Sequence, residues 1–319
     1  MATRKTTRST RTRRAKNAST REPAGTMAVP VFAAHVAAGR PPLFPVVRRN
    51  PKLHVRKPQR YGWVPDLPDS RDHLYAAPLA IALPASYDLR DHYGLPPVYD
   101  QGQLGSCTGN AVAGAIQFER MRQNLASANL VPSRLFIYYN ERVIENTVNA
   151  DSGAQIRDGI KSVASQGDCF EGPGANQWPY VISKFKKKPP PACYSEALTD
   201  RAVSYSSVTQ SLDQMKGCLA SGYPFVYGFT VYASFESQQV ASTGVVPLPA
   251  TGEQVVGGHA VMAVGYDDAS QRFTVRNSWG STWGRQGYFT IPYAYLTNAN
   301  LANDFWTIRL VSAAAANAQ

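Results

Sequence analysis

The chain has 319 residues, of which 44% are hydrophobic and 17% charged, enough apolar material for one large domain or two modest ones. Its formal charge of +11 is uneven: residues 1–60 carry fifteen Lys/Arg against a single acid, Glu22, while residues 61–319 carry eighteen bases and twenty-one acids. The basic character belongs to a tail, which excludes a globular basic DNA-binding domain as the simplest reading.

Taken in chain order, residues 1–22 are Thr, Ser, Arg and Lys with almost nothing to bury, so a disordered segment is predicted. It would serve either as an arm for nucleic acid or another anionic surface, or as a plain solubilising tail. No roughly 7–15-residue apolar stretch follows it closely, which argues against a secretory signal. No run approaches the ~20 apolar residues of a membrane helix.

Residues 23–82 form a proline-punctuated leader. Pro41, Pro42, Pro45, Pro51, Pro58, Pro65 and Pro68 prevent a long helix. Phe44, Leu53, Tyr61, Trp63 and Leu67 are too apolar for a free linker, so an extended segment docked on the main domain is predicted, with inhibition of the domain as one role for it.

From about Leu83 the chain reads as globular. Helices are predicted over Ser106–Arg122, Pro132–Glu145 and Ala154–Ser165. The second half turns to short segments rich in aromatic and β-branched residues: Pro224–Tyr232, Ala260–Tyr266, Phe273–Asn277 and Tyr288–Ile291, with a hairpin turn at Asp267–Gln271. Helices first and strands later imply α+β with two lobes. The Ala-rich residues 313–319 read as a flexible end.

Three windows carry chemistry. In QGQLGSCTGN (Gln101–Asn110), Cys107 falls at the first turn of a helix after a Gly-rich loop. Unpaired N–H groups and the partial positive charge there favour thiolate over thiol, which makes Cys107 a candidate nucleophile. The bland alternative is a small buried cysteine. A thiolate needs a proton partner, and of the five histidines only His259, in GGHAVMAVGY (Gly257–Tyr266), opens a predicted core strand. An imidazole needs an orienting group. VRNSWG (Val275–Gly280) follows one hairpin later and would place Asn277 beside His259, with Trp279 shielding the contact. Cys107, Cys169, Cys193 and Cys218 show no metal-ligand spacing, so neither metal nor cofactor is expected, and a Cys169–Cys193 bridge stays open.

Together these windows resemble the papain-like cysteine peptidases. LPASYDLRD (Leu83–Asp91) resembles the mature N-terminus, QGQLGSC the oxyanion-glutamine and nucleophile motif, GGHAVMAVGY the histidine motif, and NSWGSTWGRQGYFTI (Asn277–Ile291) the asparagine motif. The resemblance implies a peptidase domain over residues 83–312, with a helical left lobe and an antiparallel β-barrel-like right lobe. It implies Cys107 as nucleophile, His259 as base and acid, Asn277 as its orienter, Gln101 in the oxyanion hole and Trp279 as cover. Ser152 and Gly153 lie about where the family holds extended substrate. Gly258 and Ala260 flank the pocket for the second residue before the cut and suggest an apolar preference there. Leu104 and Thr108 replace a cysteine and an aromatic common among relatives.

The implied function is a cysteine endopeptidase acting on protein or peptide through an acyl-enzyme. It would sit inside the cell or in a virion, in a branch of microbes and large DNA viruses. The alternatives are an acyl transferase or amidase on the same triad, and a nucleic-acid-associated virion protein with a basic arm.

Overall fold

The structure is a computed structural model that describes residues 61–70, 72–77 and 83–313. The basic segment 1–22, most of the leader and the Ala-rich residues after 313 lie outside the described residues.

The elements run β1 (Leu74–Tyr75), β2 (Ser86–Asp88), α1 (Leu89–His92), α2 (Cys107–Arg122), α3 (Arg134–Ile144), α4 (Ile156–Gln166), α5 (Pro191–Ala197), β3 (Asp200–Val208), α6 (Leu212–Ala220), β4 (Phe225–Tyr232), α7 (Gln238–Thr243), β5 (Val255–Asp267), β6 (Arg272–Arg276), β7 (Tyr288–Pro292), α8 (Tyr293–Leu296) and β8 (Ala302–Ala313). The three long helices expected from the sequence are α2, α3 and α4. The four expected strands are β4 to β7, with β5 beginning earlier than its apolar run, because the glycines before His259 also pair with β4. Strands β3 and β8 were not expected.

The sheet order is β1-β3-β8-β4-β5-β6-β7, with β2 on β5. Every pairing is antiparallel except β1 on β3, where the leader adds a short parallel strand. The right lobe is this sheet, filled by Phe225, Tyr227, Phe229, Phe273 and Phe289. The helical lobe has a smaller second cluster around Leu135, Phe136, Tyr138 and Trp178. Cys169 and Cys193 lie side by side there, and all four cysteines are free thiols.

Helix α2 runs through the interior between the lobes and is buried from Cys107 to Arg120. Its polar residues are therefore paired. Arg120 reaches Asp168 at 3.0 Å and Asp200 at 2.7 Å, with Arg120 and Asp168 out of contact with water and Asp200 nearly so. That triad ties α2 to the start of β3, and burial pushes the Asp168 carboxyl up to about 7 despite the guanidinium beside it. Glu119 engages Arg122 at 2.8 Å. These tethers fix the direction in which the helix N-terminus points, which is at the face between the lobes.

Candidate active site

Cys107 opens α2 and is wholly buried. Its N-cap, Ser106, makes no side-chain cap bond to the helix; its hydroxyl meets Tyr180 Oη at 2.6 Å instead. The first-turn N–H groups are thus left to act on the space before the helix. The amides of Ala260, Gly62 and Thr108 face the Cys107 sulfur and favour its anion. Burial outweighs them and pushes the thiol up to about 12.

Ala260 follows His259 on β5, so the strand that carries the imidazole also touches the sulfur. His259 Nε2 lies 2.9 Å from Asn277 Oδ1. The same oxygen accepts the Ser278 backbone N–H at 2.8 Å. Its role as acceptor is thereby set, so Nε2 carries the hydrogen and Nδ1 is left as the basic nitrogen. Nδ1 has no partner among the described residues. Burial pulls the imidazole down to about 4, against the Asn277 bond that pulls the other way. Trp279 stacks on the ring at 5.1 Å between centroids and an interplanar angle of 27°. Phe235 and Trp283 pack behind Trp279 and keep water from the His259–Asn277 contact.

Gln101 is also fully buried. Its amide oxygen accepts the Ser278 hydroxyl at 2.6 Å, and its Nε2 donates to Leu104 O at 2.9 Å. Its backbone N–H donates to Ser278 O at 2.8 Å. Ser278 therefore clamps both ends of the site, holding Gln101 by its hydroxyl and carbonyl and Asn277 by its amide. Nothing in the sequence marks Ser278 for this part except its position inside NSWG.

The leader runs through this site. Gly62 passes between Gly105 and Gly153 so closely that a Cβ on Gly62 would overlap the Gly105 carbonyl, and one on Gly153 would overlap Gly62. Ala154 N donates to Gly62 O at 2.7 Å, and Val64 N donates to Ala154 O at 3.0 Å, a parallel pairing about Trp63. Trp63 N donates to Gly258 O at 3.0 Å. Tyr61 stands edge-on to the His259 ring at 5.9 Å, and its hydroxyl bonds Glu236. Farther along, Arg157 holds Asp72 at 2.7 Å and binds Leu67 O, and Lys161 meets Asp69 at 3.5 Å.

The structure thus brings Cys107, His259, Asn277, Gln101 and Trp279 together. Gly153, Gly258 and Ala260 line the groove, and the backbone bonds to the extended leader come from Ala154 and Gly258. Ser152 is turned onto the Gly153 carbonyl through its hydroxyl, at 3.1 Å. No group of metal-ligating side chains occurs among the described residues.

A two-lobed α+β fold, with a thiol at the start of a buried helix and an asparagine-bound imidazole on the strand whose next amide meets that thiol, is the papain-like arrangement. The profile of the papain family cysteine protease domain matches residues 83–307, and the chain belongs to that family. It is 41% identical over 278 residues to an uncharacterised peptidase C1-like protein of Acanthamoeba polyphaga mimivirus, covering 80% of this chain and 88% of that one. Among solved structures it is similar to xylellain, a cysteine protease from Xylella fastidiosa. The identity is 44%, the TM-score 0.72, and the match covers 83% of this chain and 98% of that one. Digestive procathepsin L 3 of Tenebrio molitor shares the fold alone, at 18% identity and a TM-score of 0.56 over 76% of this chain and 74% of that one. The chain is a cysteine peptidase, a hydrolase whose substrates are proteins. No helix among the described residues is long and apolar enough to cross a membrane.

Proposed function

We propose that the chain is an endopeptidase working through a Cys107–His259–Asn277 triad with Gln101 in the oxyanion hole, and that leader residues 61–67 cover the site until displaced. The observation that carries the catalytic part is the 2.9 Å contact of His259 Nε2 with Asn277 Oδ1, which leaves Nδ1 as the base on the strand whose next amide faces the Cys107 sulfur.

In the cleared site, Nδ1 takes the thiol proton and the sulfur attacks the peptide carbonyl carbon. A C–S bond forms and the carbonyl oxygen gains the negative charge. The second amide hydrogen of Gln101 and the Cys107 backbone N–H are the donors offered to that charge. His259 then gives its proton to the departing amine as the C–N bond breaks. Water attacks the remaining thioester with His259 again taking the proton, and the acid leaves as the thiol is restored.

The covering part rests on what faces the nucleophile. It is an N–H, that of Gly62, while the Gly62 carbonyl is engaged by Ala154. Burial raises the Cys107 thiol and lowers the His259 imidazole, and both shifts favour the neutral pair. The closed chain is therefore a zymogen-like state.

Turnover of a peptide substrate in ¹⁸O-water tests the reaction. One labelled oxygen in the new carboxyl group, lost in Cys107→Ser and in His259→Ala, is expected. Transfer of the acyl group to an added amine with negligible hydrolysis would instead establish a transferase.

A further inference from the structure

Gly105 and Gly153 are the two walls between which the leader passes at Gly62, and one carboxylate ties them together. Gly105 belongs to the loop that leads into Cys107. Its backbone N–H donates to both oxygens of Asp151, at 3.1 and 3.3 Å. A Cβ on Gly105 would stand 3.0 Å from Asp151 Oδ1, so a glycine lets the carboxylate come this close. The same Oδ1 accepts the Tyr138 hydroxyl at 2.6 Å. That hydroxyl in turn accepts the Gly153 N–H at 3.2 Å. Hydrogen bonds thus run without a gap from the loop before the thiol, through Asp151 and Tyr138, to the residue before Ala154.

Tyr138 is a fixed platform for this chain of bonds. It is wholly buried on α3, with the Arg142 guanidinium 4.0 Å from its ring centre. The same guanidinium donates to Val148 O at 3.1 Å and to Ala150 O at 2.9 Å, so the segment that leads to Asp151 is held as well. Two parts of the groove are thereby set against each other. Ala154 grips an extended chain by its N–H and its carbonyl, as it does the leader at Gly62 and Val64. The Cys107 sulfur must reach a carbonyl carbon of the chain so gripped. A misplacement of about 1 Å between grip and nucleophile can cost on the order of 10²-fold in rate.

We propose that Asp151 and Tyr138 are positioning residues that fix the Gly153–Ala154 segment against the loop leading into Cys107, so that a peptide gripped at Ala154 presents its carbonyl to the sulfur. This rests on the peptidase reading of the site.

The test is competition for Cys107 in one tube of the full-length chain, between iodoacetamide and acetyl-tetraalanyl chloromethyl ketone. Peptide mass analysis gives the ratio of the two adducts on Cys107. Both reagents alkylate the sulfur, and only the peptidyl one is long enough to be gripped at Ala154. Both need the leader displaced, so the ratio does not depend on what fraction of the chain is open. Asp151→Ala should lower the share of peptidyl adduct relative to the small one by about tenfold. Tyr138→Phe, which keeps the ring beside Arg142, should lower it by a similar factor. The double variant should lose little more than either alone, because both break the same chain of bonds. Asp151→Asn, which keeps an acceptor oxygen, should retain most of the ratio. A general loosening of the fold would slow or speed both adducts alike and leave the ratio unmoved. An unchanged ratio in Asp151→Ala and in Tyr138→Phe overturns the assignment; should the alanine variant fail to fold, an unchanged ratio in Tyr138→Phe overturns it alone. Neither adduct on Cys107 in the unaltered chain would remove the assignment together with the peptidase reading beneath it.

Discussion

The Gly62 amide points at the Cys107 sulfur, so the leader presents the nucleophile with a hydrogen-bond donor where a substrate would present a carbonyl carbon. One residue on either side, Tyr61 lies against His259 and Trp63 fills the slot next to Gly258. Three consecutive residues thereby occupy the base, the nucleophile and a side-chain pocket. Burial beneath them pushes the thiol up to about 12 and the imidazole down to about 4. In the closed chain Cys107 should therefore react slowly with iodoacetamide at pH 7, and removing Tyr61 and Trp63 side chains together should accelerate it by about tenfold or more. Alkylation followed by peptide mass analysis reads this directly.

Leader docking should weaken as pH rises. Burial first, and then the Asp304 carboxylate, push the Asp66 carboxyl up to about 7 in the docked state, while the Trp306 indole, the Arg157 amide and the Arg157 charge oppose them. The free leader carries Asp66 at an ordinary carboxyl value near 4. Docking therefore takes up a proton between about pH 4 and pH 7, and is strongest at the acid end of that window. Opening of the full-length chain should rise several-fold from pH 5 to pH 8. In Asp66→Asn, which mimics the protonated carboxyl, the rise should be lost and the leader should stay docked at pH 8. Limited proteolysis of the leader across that range, which does not depend on catalysis if Cys107→Ser is used throughout, measures it.

Gln101→Ala should lower kcat by about 10²–10³ with little change in KM, because the amide meets charge that exists only in the transition state. Ser278→Ala should produce a smaller loss of the same kind. It frees the Gln101 amide oxygen now held at 2.6 Å without removing the donor itself. Steady-state kinetics on one peptide compares the two.

Arg120→Leu should destabilise the fold by about 3–5 kcal/mol, since it strands Asp168 and Asp200 without their shared cation. The loss should be smallest in acid, because a protonated Asp168 tolerates burial. Urea unfolding at pH 5 and pH 8 gives both numbers.

Each residue of the proposed triad was legible because its chemistry sits in a contiguous window: a thiol after Gly-Ser at a helix start, a histidine between glycines and a strand, an asparagine one hairpin later. The fold was legible where periodicity is local. Helix α2 gave only a loose apolar face, because it is buried on all sides and pairs its charges internally, as Arg120 does. Strand β3 was hidden by its Ser and Arg residues, and β8 lay past the last motif. That an extended leader segment docks on the domain was legible from its apolar residues, but its register in the groove was not. Gly62 fits only because Gly105 and Gly153 stand opposite it, three glycines separated by up to ninety residues of chain that meet once the lobes are assembled.

The rate at which a thiol-directed epoxide modifies Cys107 in the full-length chain and in Gly62→Ala tests the covering role of the leader and the nucleophile together. A methyl group at Gly62 cannot be placed without overlapping the Gly105 backbone, so the leader should be expelled while the catalytic domain is untouched. An overpacking cost of about 1–3 kcal/mol corresponds to a gain in the open form of about 5- to 150-fold. The predicted result is an adduct on Cys107 alone, formed faster by about that factor in Gly62→Ala and lost from both when His259 is replaced by alanine. Equal rates in the two chains would contradict a covering role for the leader, and an unmodified Cys107 in both would contradict its role as the nucleophile.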